Sequence, residues 1–477
     1  MSTPSVPAAA PVPKRAFDRS IVEGPIAKAV WVIAWPTMLQ NMIGGLQGVV
    51  DHVMVGHFVG YTGNAAIGVS WQIFLVLMVF MSSVFIGMAV LVARFAGQGD
   101  HEKVNRTVYQ SFLVAAGMAA ALAPLGYVLA PSLLSLVHAA PDVRAQALPF
   151  LRIMFGFSIG MMMFFMLGGA LRSAGDAKTP LRLGVALTLM NIAFNIVLIR
   201  GLGPIPAFGT RGAAMGSSLA AGLIGVYALY HLIKGDWVIG FRHSEAAGWG
   251  PDWDIIRQLF RFGLPSGIQG IAMNVGGVIM LRFVGSLAQS GQAQAAFAIS
   301  YTELFSFITW TSVGLMGAAA AVAGQNLGAG QPDRSVKGVA VAARLGLLVA
   351  AVIGTLFLTI PHVLLGAFGQ TDPAVLRLGT QLLGYLAVSG LFITVALSYT
   401  GGLQGTGDTK SPLYITLVSQ ILVPIGICTV LQATRGLQPA GIWSAIVVGH
   451  VTRCTLSYLV FQRQKWRTIQ VEIAPAA

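Results

Sequence analysis

Three runs of this chain, Val69–Ala93, Ser111–Ala130 and Leu345–Pro361, contain no charged residue, and nothing else in the sequence limits the fold so severely. About 20 helical residues cross the hydrocarbon core of a bilayer. No water is available there, so the backbone must satisfy its own hydrogen bonds, and runs of this length far exceed a barrel strand. Across all 477 residues only 9% are charged and 55% are apolar, whereas a soluble fold carries roughly 25% charged residues. The chain reads as an all-α integral membrane protein of about twelve transmembrane helices.

The net charge of +13 follows the loops between these runs. Sorting Lys and Arg by predicted side puts twenty on one face and six on the other. The positive-inside rule makes the richer face cytoplasmic and places both termini on it. Orientation thus accounts for the basic balance, so the expected partner is the lipid bilayer and not nucleic acid. Arg282 is the arginine that falls clearly inside a span, with Arg344 and Arg453 inside or at the edge of others. Cys428 and Cys454 lie in predicted helices, where a thiol is usually a small apolar filler.

An internal repeat sets the organisation. Gly169-Ala-Leu-Arg-Ser-Ala-Gly-Asp-Ala-Lys-Thr-Pro180 returns as Gly401-Gly-Leu-Gln-Gly-Thr-Gly-Asp-Thr-Lys-Ser-Pro412, an offset of 232 residues. Pro36 and Gly56 return as Pro265 and Gly285, and Gly97-Gln-Gly99 as Gly328-Ala-Gly330. Two parallel six-helix repeats follow, each with an even number of spans, so both enter the membrane in the same direction, and a binding site is expected near the midplane, between or within the halves. The expected layout is a disordered cytoplasmic tail at 1–28, a first bundle at 29–233, a cytoplasmic linker at 234–261, a second bundle at 262–461 and a cytoplasmic tail at 462–477. In the Gly-Asp-x-Lys loops Gly ends one helix, Asp with Ser or Thr caps the next, and Pro sits in its first turn. Pro36 and Pro265 should kink the first helix of each half, as a hinge or as a tolerated bend.

Features present in only one half are the better candidates for chemistry. Asp51 and Glu303 are the acids that fall well inside predicted spans, and the repeat sets them against Met280 and Ile73. A carboxylate at membrane depth costs about 2.5–3.5 kcal/mol or more. It persists if protonated, paired or open to an aqueous cavity, and its proton affinity then depends on conformation. Asn191 and Asn195 share a helix face at i, i+4 spacing. They could hydrogen-bond a carboxylate, coordinate an ion through their oxygens, or join helices. Gln40, Asn41, Gln72, Asn274 and Tyr301 are candidates to line a substrate cavity. His52 and His57 lack the clustered partners a metal site needs. No Walker A loop and no catalytic cluster is present, so no cofactor and no enzymatic activity is expected.

Together, Pro36…Asp51-His-Val-Met-Val-Gly56, Gly324-Gln-Asn-Leu-Gly-Ala-Gly330 and the two Gly-Asp-x-Lys loops give a chain that resembles the multidrug and toxic compound extrusion family from about residue 25 to 462. The resemblance implies two six-helix bundles around a central cavity. It also implies export of amphipathic, often cationic, organic compounds driven by entry of protons or sodium ions. Asp51 falls on the family's first-helix carboxylate, Asn191 and Asn195 on its fifth-helix polar positions, Ser217 on a sixth-helix hydroxyl, and Glu303 on the Glu of an eighth-helix motif. One branch of the family has further carboxylates where Met273 and Ile393 stand here. That departure favours protons at Asp51, assisted by Glu303, with a sodium site of Asp51 and the two amides as the alternative. The chain is expected to act as a monomer. A flippase for lipid-linked oligosaccharides, with a similar two-bundle architecture, is the rival reading.

Overall fold

The computed structural model describes residues 16–137, 139–241 and 249–473. The predicted tail up to residue 15, the middle of the predicted linker at 242–248 and the last four residues lie outside them. The first half comprises α1 (Ser20–Glu23), α2 (Ile26–Phe58), α3 (Tyr61–Gln98), α4 (His101–Leu136), α5 (Pro141–Gly156), α6 (Ser158–Ser173), α7 (Lys178–Arg200) and α8 (Thr210–Lys234). The second comprises α9 (Trp253–Gly285), α10 (Ser290–Phe297), α11 (Ser306–Gly328), α12 (Pro332–Thr359), α13 (Pro361–Ala367), α14 (Pro373–Thr406), α15 (Lys410–Thr416), α16 (Val423–Thr434) and α17 (Pro439–Gln462). Two π-helical stretches, Ala298–Leu304 and Leu417–Leu422, join α10 to α11 and α15 to α16.

Ten helices among the described residues are long and apolar enough to cross a membrane, counting Ser290–Gly328 and Lys410–Thr434 as one each. The pair α5 and α6, bent by 53°, makes an eleventh. Helix α2 spans 33 residues but carries Gln40, Asn41, Gln47, Asp51 and His52 on its length, and by composition it falls outside this set. With it the bundle has the expected twelve. Its polar side chains find partners inside the bundle: Thr188 Oγ1 donates to Gln47 Oε1 at 2.8 Å and Arg172 Nη1 to Gln40 Oε1 at 3.0 Å. Such pairing is what lets so polar a helix remain in hydrocarbon.

The loops of the repeat adopt the same geometry twice. Gly175 and Gly407 take φ values of 100° and 99°, a left-handed turn that suits glycine alone. Asp176 Oδ1 then accepts from Thr179 N at 3.0 Å, and Asp408 Oδ1 from Ser411 N at 3.0 Å. These carboxylates satisfy backbone N–H groups that the next helix leaves unpaired.

Each half has its own core, around Phe74, Met88 and Leu151 in the first and Phe305, Leu382 and Trp443 in the second. A third cluster, with Ile33 of α2, Val322 of α11 and Leu403 of α14, joins the two. The halves meet at the end bearing the Gly-Asp-x-Lys loops, hereafter the basic end. There Gly97 lies against the Gln325 carbonyl and Gly263 against the Ser83 carbonyl, so closely that a Cβ on either glycine would strike backbone. Farther from this end, a Cβ at Gly48, Gly68 or Gly277 would meet nothing.

Both chain ends pack against the bundle, and at the N-terminal one this departs from the expected disorder. Ile21 and Val22 are buried, and Phe17 stacks on His101 at 3.8 Å between ring centroids. Arg334 Nη2 donates to the Gly24 carbonyl at 2.8 Å. Residues 16–28 are therefore ordered, because their apolar side chains cover the seam between halves. At the other end Trp466 is fully buried and stacked on Phe461, Arg94 Nη2 donates to the Ile469 carbonyl at 2.6 Å, and Val471 and Ile473 join the first half's core.

Candidate functional site

The carboxylate of Asp51 sits on α2, about seven helical turns into its 33 residues. Two elements supply its surroundings. Asn191 and Asn195, one turn apart on α7, are both fully buried. Asn195 Nδ2 donates to Asp51 Oδ1 at 2.7 Å and to Asn191 Oδ1 at 3.1 Å. Asn191 Nδ2 passes the chain on to Ser217 Oγ of α8 at 2.8 Å. The four residues named from sequence thus form one continuous relay across three helices.

Two details of this relay escaped the sequence. Gly216 precedes Ser217 and lies so near Asn195 Oδ1 that a Cβ there would collide with it. Asn195 Oδ1 itself is buried and has no hydrogen-bond partner among the described residues, an acceptor left open beside a carboxylate. The relay also borders a small apolar recess lined by Phe74, Phe157, Ser217 and Ala221. Farther along α2, Gln40 and Gln47 extend the polar seam to Arg172 and Thr188. Of these contacts the sequence signalled only Gln40, since Arg172 was read as a loop residue.

The other candidates disperse. Glu303 lies in the π-helical stretch Ala298–Leu304, partly buried, with no ion-pair partner among the described residues. Asn41 and Asn274 donate to their own helices, at Thr37 O and Gly270 O. Gln72 and Asn274 are exposed. Tyr301 stacks between Phe297 and Phe305 at 4.8 and 5.5 Å and lines a cavity of about 100 Å³ in the second half. Met273 and Met280 line the same cavity, the first at a carboxylate position of the related branch and the second opposite Asp51 in the repeat. Pro36 and Pro265 lie inside the unbroken helices α2 and α9. No group of three or more His, Cys, Asp or Glu suited to a metal ion occurs among the described residues. His52 instead faces Asn64 at 3.2 Å.

Arg282 lies inside the span α9, as expected, and is exposed there, whereas Arg453 of α17 is 2% exposed. A span's end cannot be told from its buried face by composition alone, because a long side chain near the end can snorkel outward.

The MatE family model matches residues 36–197 and 265–430. The chain is 25% identical over 446 residues to a probable multidrug resistance protein NorM of Thermotoga maritima, covering 92% of this chain and 93% of that one. It is 26% identical to the multidrug resistance protein PmpM of Pseudomonas aeruginosa, covering 88% of each. A solved structure described as the outward-facing conformation of a multidrug resistance MATE family transporter superposes with a TM-score of 0.86 at 18% identity, covering 93% of this chain and 97% of that one.

Proposed function

The chain belongs to the MatE family of multidrug efflux transporters, and from that premise we propose that it exports amphipathic, cationic organic compounds in exchange for protons by alternating access. The observation that carries this reading is the Asp51 carboxylate on a buried amide relay of Asn195, Asn191 and Ser217. An ionised carboxylate only accepts hydrogen bonds, and a protonated one also donates. Protonation of Asp51 therefore changes what Asn195 can bond to, and the change passes to Asn191 and Ser217 through shared hydrogen bonds. In the proposed cycle a proton enters from outside, the relay rearranges and substrate affinity in the first half falls. The protein then turns inward and releases the proton. A ligand shifts such an equilibrium only through differential affinity for the two states, and packing of the halves at the basic end supports an outward-open starting state.

The plasma membrane is the proposed location, with both termini cytoplasmic by the positive-inside rule. Glu303, Gln40, Asn41, Gln72, Asn274 and Tyr301 are retained as proposed assisting or cavity residues, and Pro36 and Pro265 as proposed hinges. Likeness to multidrug transporters does not favour the flippase reading.

Sodium coupling is the second reading, favoured by one observation: the open acceptor Asn195 Oδ1 beside Asp51 is the kind of oxygen a hard cation takes. Export of a fluorescent organic cation from liposomes, with proton and sodium gradients imposed separately, tests both readings. Asp51→Asn is expected to fold and insert but to lose gradient-driven export. Undiminished export in the variant would sink the proposed role of Asp51, and export driven by sodium alone would replace the proton with sodium.

A further inference from the structure

The second-half cavity of about 100 Å³ is lined by Met273, Gly277, Met280, Phe297, Tyr301 and Ile446, among others. The repeat shows where its space comes from. The register that sets Asp51 against Met280 also sets Gln47 against Gly276 and Gly48 against Gly277. In the first half Gln47 is bonded to Thr188 and Asp51 to Asn195. A polar seam thus occupies the place that a glycine and a thioether leave open in the second half, where Gly276 also lines the cavity. The position of its mouth follows from α9. Gly263, Gly267 and Gly270 lie against Ser83 and Val79 of α3. Asn274 and Gly277 continue the same helix face away from the basic end, and both are exposed. A Cβ on Gly277 would meet nothing, so the halves have parted there and the mouth opens on the space between them. The base is closed by the buried Met280, Phe297 and Ile446.

No Asp or Glu is among the lining residues. The polar ones have partners in the protein: Ser419 Oγ donates to the Ile415 carbonyl at 2.6 Å, Gln420 Nε2 donates to the Ser419 carbonyl at 3.3 Å, and His450 Nδ1 is held by Ser389 Oγ. Phe297 is stacked between Tyr301 and Trp443, and Tyr301 between Phe297 and Phe305, with centroids 4.8 to 6.1 Å apart. The faces of both rings are therefore covered, and their edges line the cavity. A ring edge is positive and attracts the negative face of another ring, and the thioethers of Met273 and Met280 make favourable contacts with an aromatic guest. A cation gains nothing from such edges.

We propose that this second-half cavity is an aromatic-ring site, which takes one uncharged, phenyl-sized ring of an organic cation and leaves the charge in the space between the halves. A closed apolar cavity of about 150 Å³ binds benzene. A cavity of about 100 Å³ with an open mouth admits a single ring and no fused system. The inference rests on the exporter reading for its substrate, but it concerns binding and needs no gradient.

The test is isothermal titration calorimetry of purified full-length protein with phenylpropyl-trimethylammonium and with its cyclohexyl counterpart. The two carry the same charge, and burial of apolar area alone favours the cyclohexyl ring. Wild-type protein is expected to bind the phenyl cation about fivefold more tightly. Gly277→Leu fills the mouth from a position where a Cβ has room, and it is expected to erase the preference. Gly48→Leu, its repeat counterpart in the first half and equally open, is expected to keep it. Equal binding of the two cations by wild-type protein, tighter binding of the cyclohexyl cation, or binding of neither overturns the proposal without recourse to any variant. A preference that survives Gly277→Leu, or that Gly48→Leu also erases, overturns it as well, because the ring then sits elsewhere. Failure of gradient-driven export with the ring preference intact would strike the exporter reading and leave this site standing.

Discussion

Asn195 is a single side chain with two jobs at once, donating to Asp51 and to Asn191 from one nitrogen while its oxygen stays open. What keeps it there is a residue with no side chain. Gly216 approaches Asn195 Oδ1 so closely that one added methyl would displace the amide. Gly216→Ala is therefore expected to fold and insert but to slow coupled export about tenfold, roughly 1.4 kcal/mol in the barrier. Initial rates in liposomes at equal protein incorporation would check this, and unchanged rates would show that the amide position is not critical. Asp51 and the two amides were legible because a lone acid and an i, i+4 amide pair are costly in a span and so conspicuous, whereas Ser217 was named only through the family resemblance. Gly216 was not, since a glycine among 58 carries no signal until its neighbour on another helix is known.

At the scale of an element, α2 shows how composition and placement part company. Its run of amides and Asp51 gives it too little apolar character to count as a span, yet partners on α6 and α7 meet each of Gln40, Gln47 and Asp51. The contact of α3 with α9 works through closeness instead of polarity, with Gly263 against the Ser83 carbonyl. Helix backbones approach this closely only where small residues stand at the crossing. Gly263→Ala must push the two helices apart, and a cost of about 1–3 kcal/mol is expected from overpacking. Thermal unfolding in detergent should show a lower midpoint, and an unchanged midpoint would mean that the seam yields without strain. The Gly-Asp-x-Lys loops were fully legible, because left-handed glycine and a capping carboxylate are local chemistry that needs no distant partner.

Across the whole molecule, the basic end is tied by both chain termini. Residues 17–24 lie over the seam, held by Arg334 and Asn326, and residues 466–473 run from the second half to the first through Arg94 and the Arg467–Asp333 ion pair. In the proposed cycle, turning inward requires that these contacts part. Ending the chain after Arg463 removes the buried Trp466, and losing a side chain of that size from a core costs about 3–5 kcal/mol in soluble proteins. Faster amide exchange at residues 94–98 and 325–334 is the expected outcome, and unchanged protection there would show that the tail only decorates the seam. Disorder was expected at the N-terminal tail because its first residues are rich in Pro, Ala and Ser, and a few apolar side chains do not register in composition.

From its sequence alone this protein was bound to be a helical membrane bundle, doubled, with its lysines and arginines unevenly shared between its loops and an unrepeated acid inside a span of each half. Those properties follow from solvation, which acts on each residue in proportion to its own chemistry, and from a repeat that copies local chemistry twice. Tertiary structure alone decided which glycines press helix against helix, how Asn195 is shared, that Arg282 lies exposed while Arg453 is buried with no ion pair among the described residues, and that both tails close the basic end. Each of these depends on which residues meet across helices far apart in the chain, and burial and pairing are properties of that meeting, not of any one position.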